Sequence, residues 1–432
     1  MLPKSKRPKA WYFLFAVALG TLLAACGGQG GSGGGQPPSS ITLTVQDSQN
    51  TGYTVAFQVG NGNWTAQSPN PSHTYTLNLG TQSKYGVAVY CNQNSSLHII
   101  HATNTELGNA TVVCSSPAGG PPSLVPYTLN LNVSQTGAQI GDIVFVQGSG
   151  VSHSGTPVTS LSNVQASIQA PEGTQDILII VARGDPDNPS SLQILHAEVL
   201  RNVNVTNGGS SNHTLGAPLG TGTVTISNVP SGFSGLPLVF YLSKDNKGAG
   251  VVGWGSGNTF TYRQVRGFSQ GDRYFLNLMY QNPSGSSRIL YLKGSSGGDI
   301  GVTLPNPWQA AALSVDGNAH PTVSGLNRTE PSLKAYGIDL QGSELHVLGL
   351  VTKGWLGSNT SYVVPNLSSV LTYTPFASGS RVSASILAVF SPNALDLGAT
   401  NLDPTTFTAN LDFAFIGANG YYTVGGGSIQ LP

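Results

Sequence analysis

The chain has 432 residues with 18 basic and 18 acidic side chains, and only 8% of its residues are charged against 39% hydrophobic. An average soluble protein carries about 25% charge; here Ser, Thr, Asn, Gln and 56 Gly take up the difference. That balance excludes a disordered chain, which lacks apolar material for a core, and a general nucleic-acid binder, which needs a basic footprint.

The first 25 residues read as a signal peptide. Lys4, Lys6, Arg7 and Lys9 precede an apolar run from Trp11 to Leu23. The run is shorter than the roughly 18 apolar residues of a spanning helix, so a removable leader is expected rather than a permanent anchor. It ends on Leu23-Ala24-Ala25-Cys26, which resembles the lipobox of bacterial lipoproteins. The resemblance implies cleavage before Cys26, acylation of that cysteine with diacylglyceryl and fatty acid such as palmitate, and a lipid bilayer as partner. It further implies a cell-envelope location: the outer membrane if the host has one, otherwise the outer face of the plasma membrane. Residues 26–40 (CGGQGGSGGGQPPSS) form a Gly/Ser-rich tether with an r.m.s. reach of roughly 20 Å. Without the leader, fourteen basic residues face eighteen acidic ones, a net charge of −4.

Two cysteines remain after Cys26. Cys91 ends the strand-like run Tyr85-Gly86-Val87-Ala88-Val89-Tyr90-Cys91 and shares a face with Tyr85, Val87 and Val89; Cys114 shares one with Val112. An exported compartment favours a Cys91–Cys114 disulfide, with two buried thiols as the alternative.

From residue 41 onward the pattern is all-β, with no helix expected. Alternating runs such as ITLTV, YTVAFQV, LVFYLS and RYFLNLMY are punctuated by Gly, Pro, Asn and Ser clusters. A repeat appears in KYGVAVYCNQNSSLHIIHA from Lys84, QDILIIVARGDPDNPSSLQILHAE from Gln175 and DRYFLNLMYQNPSGSSRILYLKG from Asp272, with a weaker echo from Arg381. Each reads as a hairpin of two long apolar strands around a turn. The spacing predicts tandem β-sandwich units at 41–115, 124–215 and 216–306, and a diverged fourth at 307–432. Lys84-Tyr85 to Val89 and Arg273-Tyr274 to Leu278 resemble the tyrosine-corner strand of immunoglobulin-like and fibronectin type III domains, although Ile177 replaces the Tyr in the second unit. Immunoglobulin-like sandwiches are therefore expected, with a transthyretin-like topology as the alternative.

Catalytic groups are sparse, and neither an enzyme nor a cofactor is expected. Gly294-Ser295-Ser296-Gly297-Gly298 matches G-x-S-x-G but sits between two strands, where a nucleophile elbow requires a strand-to-helix turn. His98 and His101 point to opposite faces of one strand, so a shared metal is disfavoured, and no metal site is expected. Asp185 to Asn188 offers a turn with hard oxygens but too few calcium ligands. Trp64 and Trp254 stand in Gly-rich contexts 21 and 20 residues before the Tyr of their units, as does Trp355 without that spacing. They read either as core or as sugar-stacking platforms. Seven basic residues face three acidic ones between 216 and 306, and Arg263, Arg273 and Arg288 are expected on solvated sheet faces as a patch for an anionic polymer. The leading functional reading is a surface-exposed structural or adhesive lipoprotein, followed by a carbohydrate- or anionic-polymer-binding one, then a secreted hydrolase. Polysaccharide and other envelope components are the expected partners.

Overall fold

The computed structural model describes residues 38–115, 123–185, 191–392 and 411–431; Cys26, its lipobox and most of the tether lie outside them. Where the sequence alternates, so does burial. In Ser40–Asp47 every second side chain is inside, while in Gly173–Arg183, with its apolar run from Ile177 to Ala182, eight consecutive residues are buried, as in a strand covered on both faces.

The first repeat contains β1 (Ser40–Asp47), β2 (Tyr53–Val59), β3 (Thr65–Gln67), β4 (Thr74–Asn78), β5 (Lys84–Cys91), β6 (Ser96–Thr103) and β7 (Ala110–Ser115). They form two layers, β4-β1-β7 and β3-β2-β5-β6. The second contains β8 (Leu124–Asn132), β9 (Ile143–Gln147), β10 (Thr156–Pro157), β11 (Val164–Pro171), β12 (Gly173–Arg183), β13 (Gln193–Val205) and β14 (Gly209–Thr214). Its layers, β11-β8-β14 and β10-β9-β12-β13, repeat the same order.

The third contains β15 (Thr221–Ser227), the short β16 (Ser234–Gly235), β17 (Leu238–Leu242), β18 (Ala249–Trp254), β19 (Thr259–Arg263), β20 (Arg273–Gln281), β21 (Ser287–Ser295) and β22 (Ile300–Thr303). Here β22-β15-β19 continues through β18 into β18-β17-β20-β21. The fourth contains β23 (Leu313–Val315), β24 (Thr322–Ser324), β25 (Leu333–Gln341), β26 (His346–Thr352), β27 (Ser361–Val363), β28 (Arg381–Phe390), β29 (Asp412–Thr423) and β30 (Ile429–Leu431). Its first strand is split into the hairpin β23–β24, giving β27-β24-β23-β30 over β26-β25-β28-β29. The inserted hairpin reverses the chain, so β23 runs antiparallel to β30, whereas β1–β7, β8–β14 and β15–β22 are parallel.

The protein is thus a tandem array of β-sandwiches. The strand order within a unit is a finer matter: the first strand lies between the fourth and the last, not in the A-B-E-D over C-F-G order of an immunoglobulin constant domain. The sequence repeats are the hairpins β5–β6, β12–β13 and β20–β21, and the echo from Arg381 enters β28.

The units are not beads on a string. β21 pairs antiparallel with β29, and β26 pairs parallel with β6, so the larger layers of units 3, 4 and 1 join edge to edge. The result is a run of twelve strands from β18 to β3 within a sixteen-stranded sheet. Unit 1 lays its small layer on one face of this run, where Ile41 and Leu43 pack with Tyr85 and Val87. Units 3 and 4 lay theirs on the other, where Val224 and Val315 join Tyr274, Leu276, Tyr336 and Ile338. Unit 2 is held differently. One face of β12 carries Ile177, Ile179 and Val181 into its own sandwich, while Leu178, Ile180 and Ala182 enter the core shared with unit 3. A Cβ at Gly250 of β18 would lie 2.0 Å from Gln147 Oε1 and 2.8 Å from Leu178 Cδ2, so the close approach of unit 2 requires glycine there.

Among the described residues, two single-turn helices depart from the helix-free expectation, α1 (Lys353–Leu356) and α2 (Ser368–Leu371). The run Thr352-Lys353-Gly354-Trp355-Leu356-Gly357 carries a visible signal, with Thr352 capping the N-terminus and Gly357 at positive φ ending the turn.

Candidate functional site

Of the residues singled out in the sequence, the joint between units 1 and 4 brings together the most. α1 carries Trp355 over β6, where it stacks on His101 with ring centroids 4.2 Å apart. Trp64, entering β3, meets the same imidazole edge-on at 5.4 Å, and Tyr362 of β27 does so at 5.6 Å. Gly86 of β5 forms the floor, since a Cβ there would lie 2.8 Å from Trp64 and 3.0 Å from both Gln58 and His101. The hydrogen bonds define the imidazole tautomer: Gln58 Oε1, 3.0 Å from Nε2, can only accept, so Nε2–H donates to it and Nδ1 accepts from the Tyr362 hydroxyl at 2.9 Å. Burial pushes the His101 pKa down to about 3. A neutral imidazole in an aromatic box, with both nitrogens satisfied, is a structural rivet rather than a proton-transfer group. Glu106, just beyond β6, adds a polar tie: it accepts from Thr103 Oγ1 at 2.7 Å and from Gly354 N–H at 2.6 Å, and Thr352 Oγ1 donates to it at 2.5 Å.

His98 occupies the opposite face of β6, as strand periodicity requires. Its Nε2 lies 3.0 Å from Ser96 Oγ, its Nδ1 has no partner, and burial together with the nearby His346 pushes its pKa down to about 3. His346 is hydrogen-bonded to Asp339 at 2.8 Å. Among the described residues no three His, Cys, Asp or Glu side chains converge as metal ligands.

A second joint, between units 2 and 3, is polar at its centre. Arg201 of β13 donates to Asp176 at 2.6 Å, to the Tyr241 hydroxyl at 2.8 Å, to Gly267 O at 2.9 Å and to Asp272. Asp272 also accepts from Tyr241 at 2.8 Å and from the Ser269 and Lys244 N–H groups. Alongside, the buried His196 lies 3.0 Å from Glu198, which also accepts from Gly216 N–H at 2.9 Å. Burial alone would raise the Glu198 carboxyl; these hydrogen bonds outweigh it and hold the pKa below the ordinary value.

The expected basic patch is not assembled. Arg273 is 6% exposed and donates to Ser243 O and Asn246, so it does not lie on a solvated face. Arg288 donates to Gly285 O at the opposite end of the β20–β21 hairpin, eight residues or about 27 Å along the strand. Arg263 reaches across to Ile194 O at 2.9 Å and Leu219 O at 3.2 Å. Each guanidinium satisfies a local carbonyl at a strand end because the charge-poor surface supplies few carboxylates. Lys293, also in the basic excess, pairs with Asp412 at 3.2 Å.

Nor do the tryptophans form one platform. Trp64 enters β3, the third strand of its unit, whereas Trp254 ends β18, the fourth strand of unit 3, paired with Leu238. β18 and β3 are the two ends of the twelve-strand run, on the order of 50 Å apart at 4.8 Å per strand. The G-x-S-x-G match, whose serine is Ser296, links β21 to β22, strand to strand; the preceding Ser295 closes a local turn with Gly297. Arg183, which precedes the Asp185 turn, is paired with Asp142 at 2.8 Å; residues 186–190 of that turn lie outside the described residues.

Cys91 and Cys114 form the disulfide, with Cα atoms 5.2 Å apart, and both sit in the unit 1 core with Tyr85, Val87, Val89 and Val112. The closed loop spans 23 residues, worth about 3 kcal/mol on the chain-entropy model. Reduction is therefore expected to accelerate hydrogen exchange in β1, β5 and β7 by roughly a hundredfold while leaving β12 and β13 unchanged. Equal acceleration across all units would contradict this.

No family model and no curated protein matches the chain. Among solved structures it is similar to the FN1–FN3 domains of chicken CNTN1 (11% identity, TM-score 0.15, covering 70% of this chain and 88% of that one). It is also similar to the Bacillus anthracis TIE protein (10% identity, TM-score 0.14, covering 62% and 51%). At these scores the assignment to tandem β-sandwiches rests on the strand pairing above.

Proposed function

We propose that the protein is a non-enzymatic structural lipoprotein of the cell envelope, held to a membrane by acylated Cys26, whose four sandwich units stand on the outer side as one stiff body. The observation that carries this reading is the pairing of β21 with β29 and of β26 with β6. Edge strands left open invite pairing with other chains; here they are used to join units 3, 4 and 1, with the His101 box at the joint of units 1 and 4, while the Arg201 network ties unit 2 to unit 3. Such a body transmits load and keeps its surfaces at fixed positions. The neutral amide and hydroxyl surface stays hydrated without attracting ions, and the Gly/Ser tether supplies the stand-off.

The test is mass spectrometry of the N-terminus from the membrane fraction, with Cys26→Ser as control. The expected result is an N-terminal peptide beginning at Cys26 and carrying acyl chains, with the variant soluble or uncleaved. An intact, unacylated leader on the membrane-bound wild-type protein would refute the anchoring.

A further inference from the structure

We propose that the outward face of the β11-β8-β14 layer in unit 2 is a binding trough for neutral polysaccharide. The layer is three strands wide, and its inner face is spent on the unit 2 core through Tyr127, Leu129, Ala166 and Ile168. The pleat turns the alternate residues outward, and the register aligns them in rows: Gln165, Asn130 and Asn212 form one, and Ser167, Thr128 and Ser210 the next. Two hollows of about 330 and 420 Å³ lie on this face, one over each end of the layer. Their floors take adjacent rows, Thr128 and Ser167 in the first, Asn130 and Gln165 in the second; they share no lining residue and stand side by side along β8, and the pair is the trough proposed here. Its floor from Pro126 to Asn132 spans about 20 Å along β8.

The ligand class follows from the lining. Neither hollow is lined by Lys, Arg, Asp or Glu. The two histidines at the walls, His153 and His213, are pushed below the ordinary imidazole pKa by burial, so the trough is uncharged at neutral pH. An anionic polymer has nothing to pair with there, and a protein partner lacks the apolar centre that such interfaces bury. A sugar hydroxyl both donates and accepts, and so does a side-chain amide or hydroxyl, whereas a carboxylate only accepts and an ammonium only donates. Asn130 Nδ2 already donates to Asn212 Oδ1 at 2.9 Å, which orients the Asn212 amide and leaves its NH₂ for a ligand. Desolvating neutral amides also costs far less than desolvating charges. Successive rows suit a polymer, because an amide row beside a hydroxyl row offers neutral donors and acceptors to more than one sugar unit. This site is independent of the membrane anchoring proposed above.

Affinity electrophoresis of the full-length protein in detergent, in native gels containing dextran, a mixed-linkage β-glucan or alginate, tests the proposal. At least one neutral polymer is expected to retard the protein equally at low and high salt. The triple variant Thr128→Val, Asn130→Val and Gln165→Val, which keeps strand propensity, is expected to bind at least tenfold more weakly. Should that variant melt earlier than wild type, the single Gln165→Lys substitution on the same exposed row gives the same reading. The proposal is overturned if neither neutral polymer retards the protein, if only alginate does so and salt abolishes it, or if the folded variants bind like wild type.

Discussion

Arg201→Ala is expected to weaken the unit 2 to unit 3 joint by about 3 kcal/mol or more. The side chains of Asp176 and Asp272 are 10% and 0% exposed, and both lean on this one guanidinium. Removing one member of a buried ionic cluster leaves uncompensated charge, which typically costs 3–5 kcal/mol. Asp272 would retain Tyr241 and two backbone donors, which keeps the expected loss at the lower end. Arg201→Lys is expected to rescue little, because an ammonium cannot span Asp176, Asp272 and Gly267 O as the planar fork does. In a four-unit protein a single unfolding free energy is poorly defined, so the measurement is residue-resolved hydrogen exchange. Protection should fall in β12, β13 and β20 and hold in β5. A uniform loss, or one below 1 kcal/mol, would show that the cluster does not lock the joint.

Acid is expected to weaken the unit 1 to unit 4 joint before other parts of the sheet. His98 and His101 have folded pKa values pushed down to about 3 by burial, against 6.5 for an ordinary imidazole. The unfolded chain therefore binds more protons than the folded one below pH 6.5, and stability falls as pH falls, down to about pH 3. At pH 5 each histidine costs about 2 kcal/mol relative to neutral pH, at 1.36 kcal/mol per pH unit. Around His98 the titratable groups are His346 and Asp339; around His101 they are Tyr362, Lys84 over Trp355, and Glu106 behind the seam. Hydrogen exchange of β6 and β26 between pH 7 and pH 5, corrected for intrinsic rates, should show this loss, and the pair His98→Leu and His101→Phe should flatten it. A seam equally protected at both pH values would show that these imidazoles do not control it.

Much of the local structure was legible. Alternation placed β1, β2, β17 and β20, and the repeated hairpins read from Lys84, Gln175 and Asp272 are β5–β6, β12–β13 and β20–β21. The face shared by Cys91 with Val87 and Val89 is the face on which the disulfide lies. The candidate sites were less legible. Asp176 and Asp272 stand at the head of corresponding repeat segments, QDIL and DRYF, in a chain where charge is rare, and that rarity was the available signal. Nothing local connects them to Arg201, and nothing local connects His101 to Tyr362, 261 residues away. The Arg263, Arg273 and Arg288 patch failed for a related reason: alternation says which residues leave a strand on one side, not which strand ends meet.

By itself the sequence determined the β class, the hairpin repeat and the cysteine pair, because side-chain period and turn chemistry act over two to ten residues. Only the tertiary structure decided that the first strand sits between the fourth and the last, that unit 1 lies on the opposite face from units 3 and 4, and that Trp64 meets Trp355 while Trp254 stands apart. Strand edges carry backbone N–H and C=O groups that are the same in every unit, so which edge joins which is settled by long-range packing such as Val347 on Leu97 and Leu350 on Ile100, and by the single glycines, Gly86 and Gly250, that let neighbouring elements close.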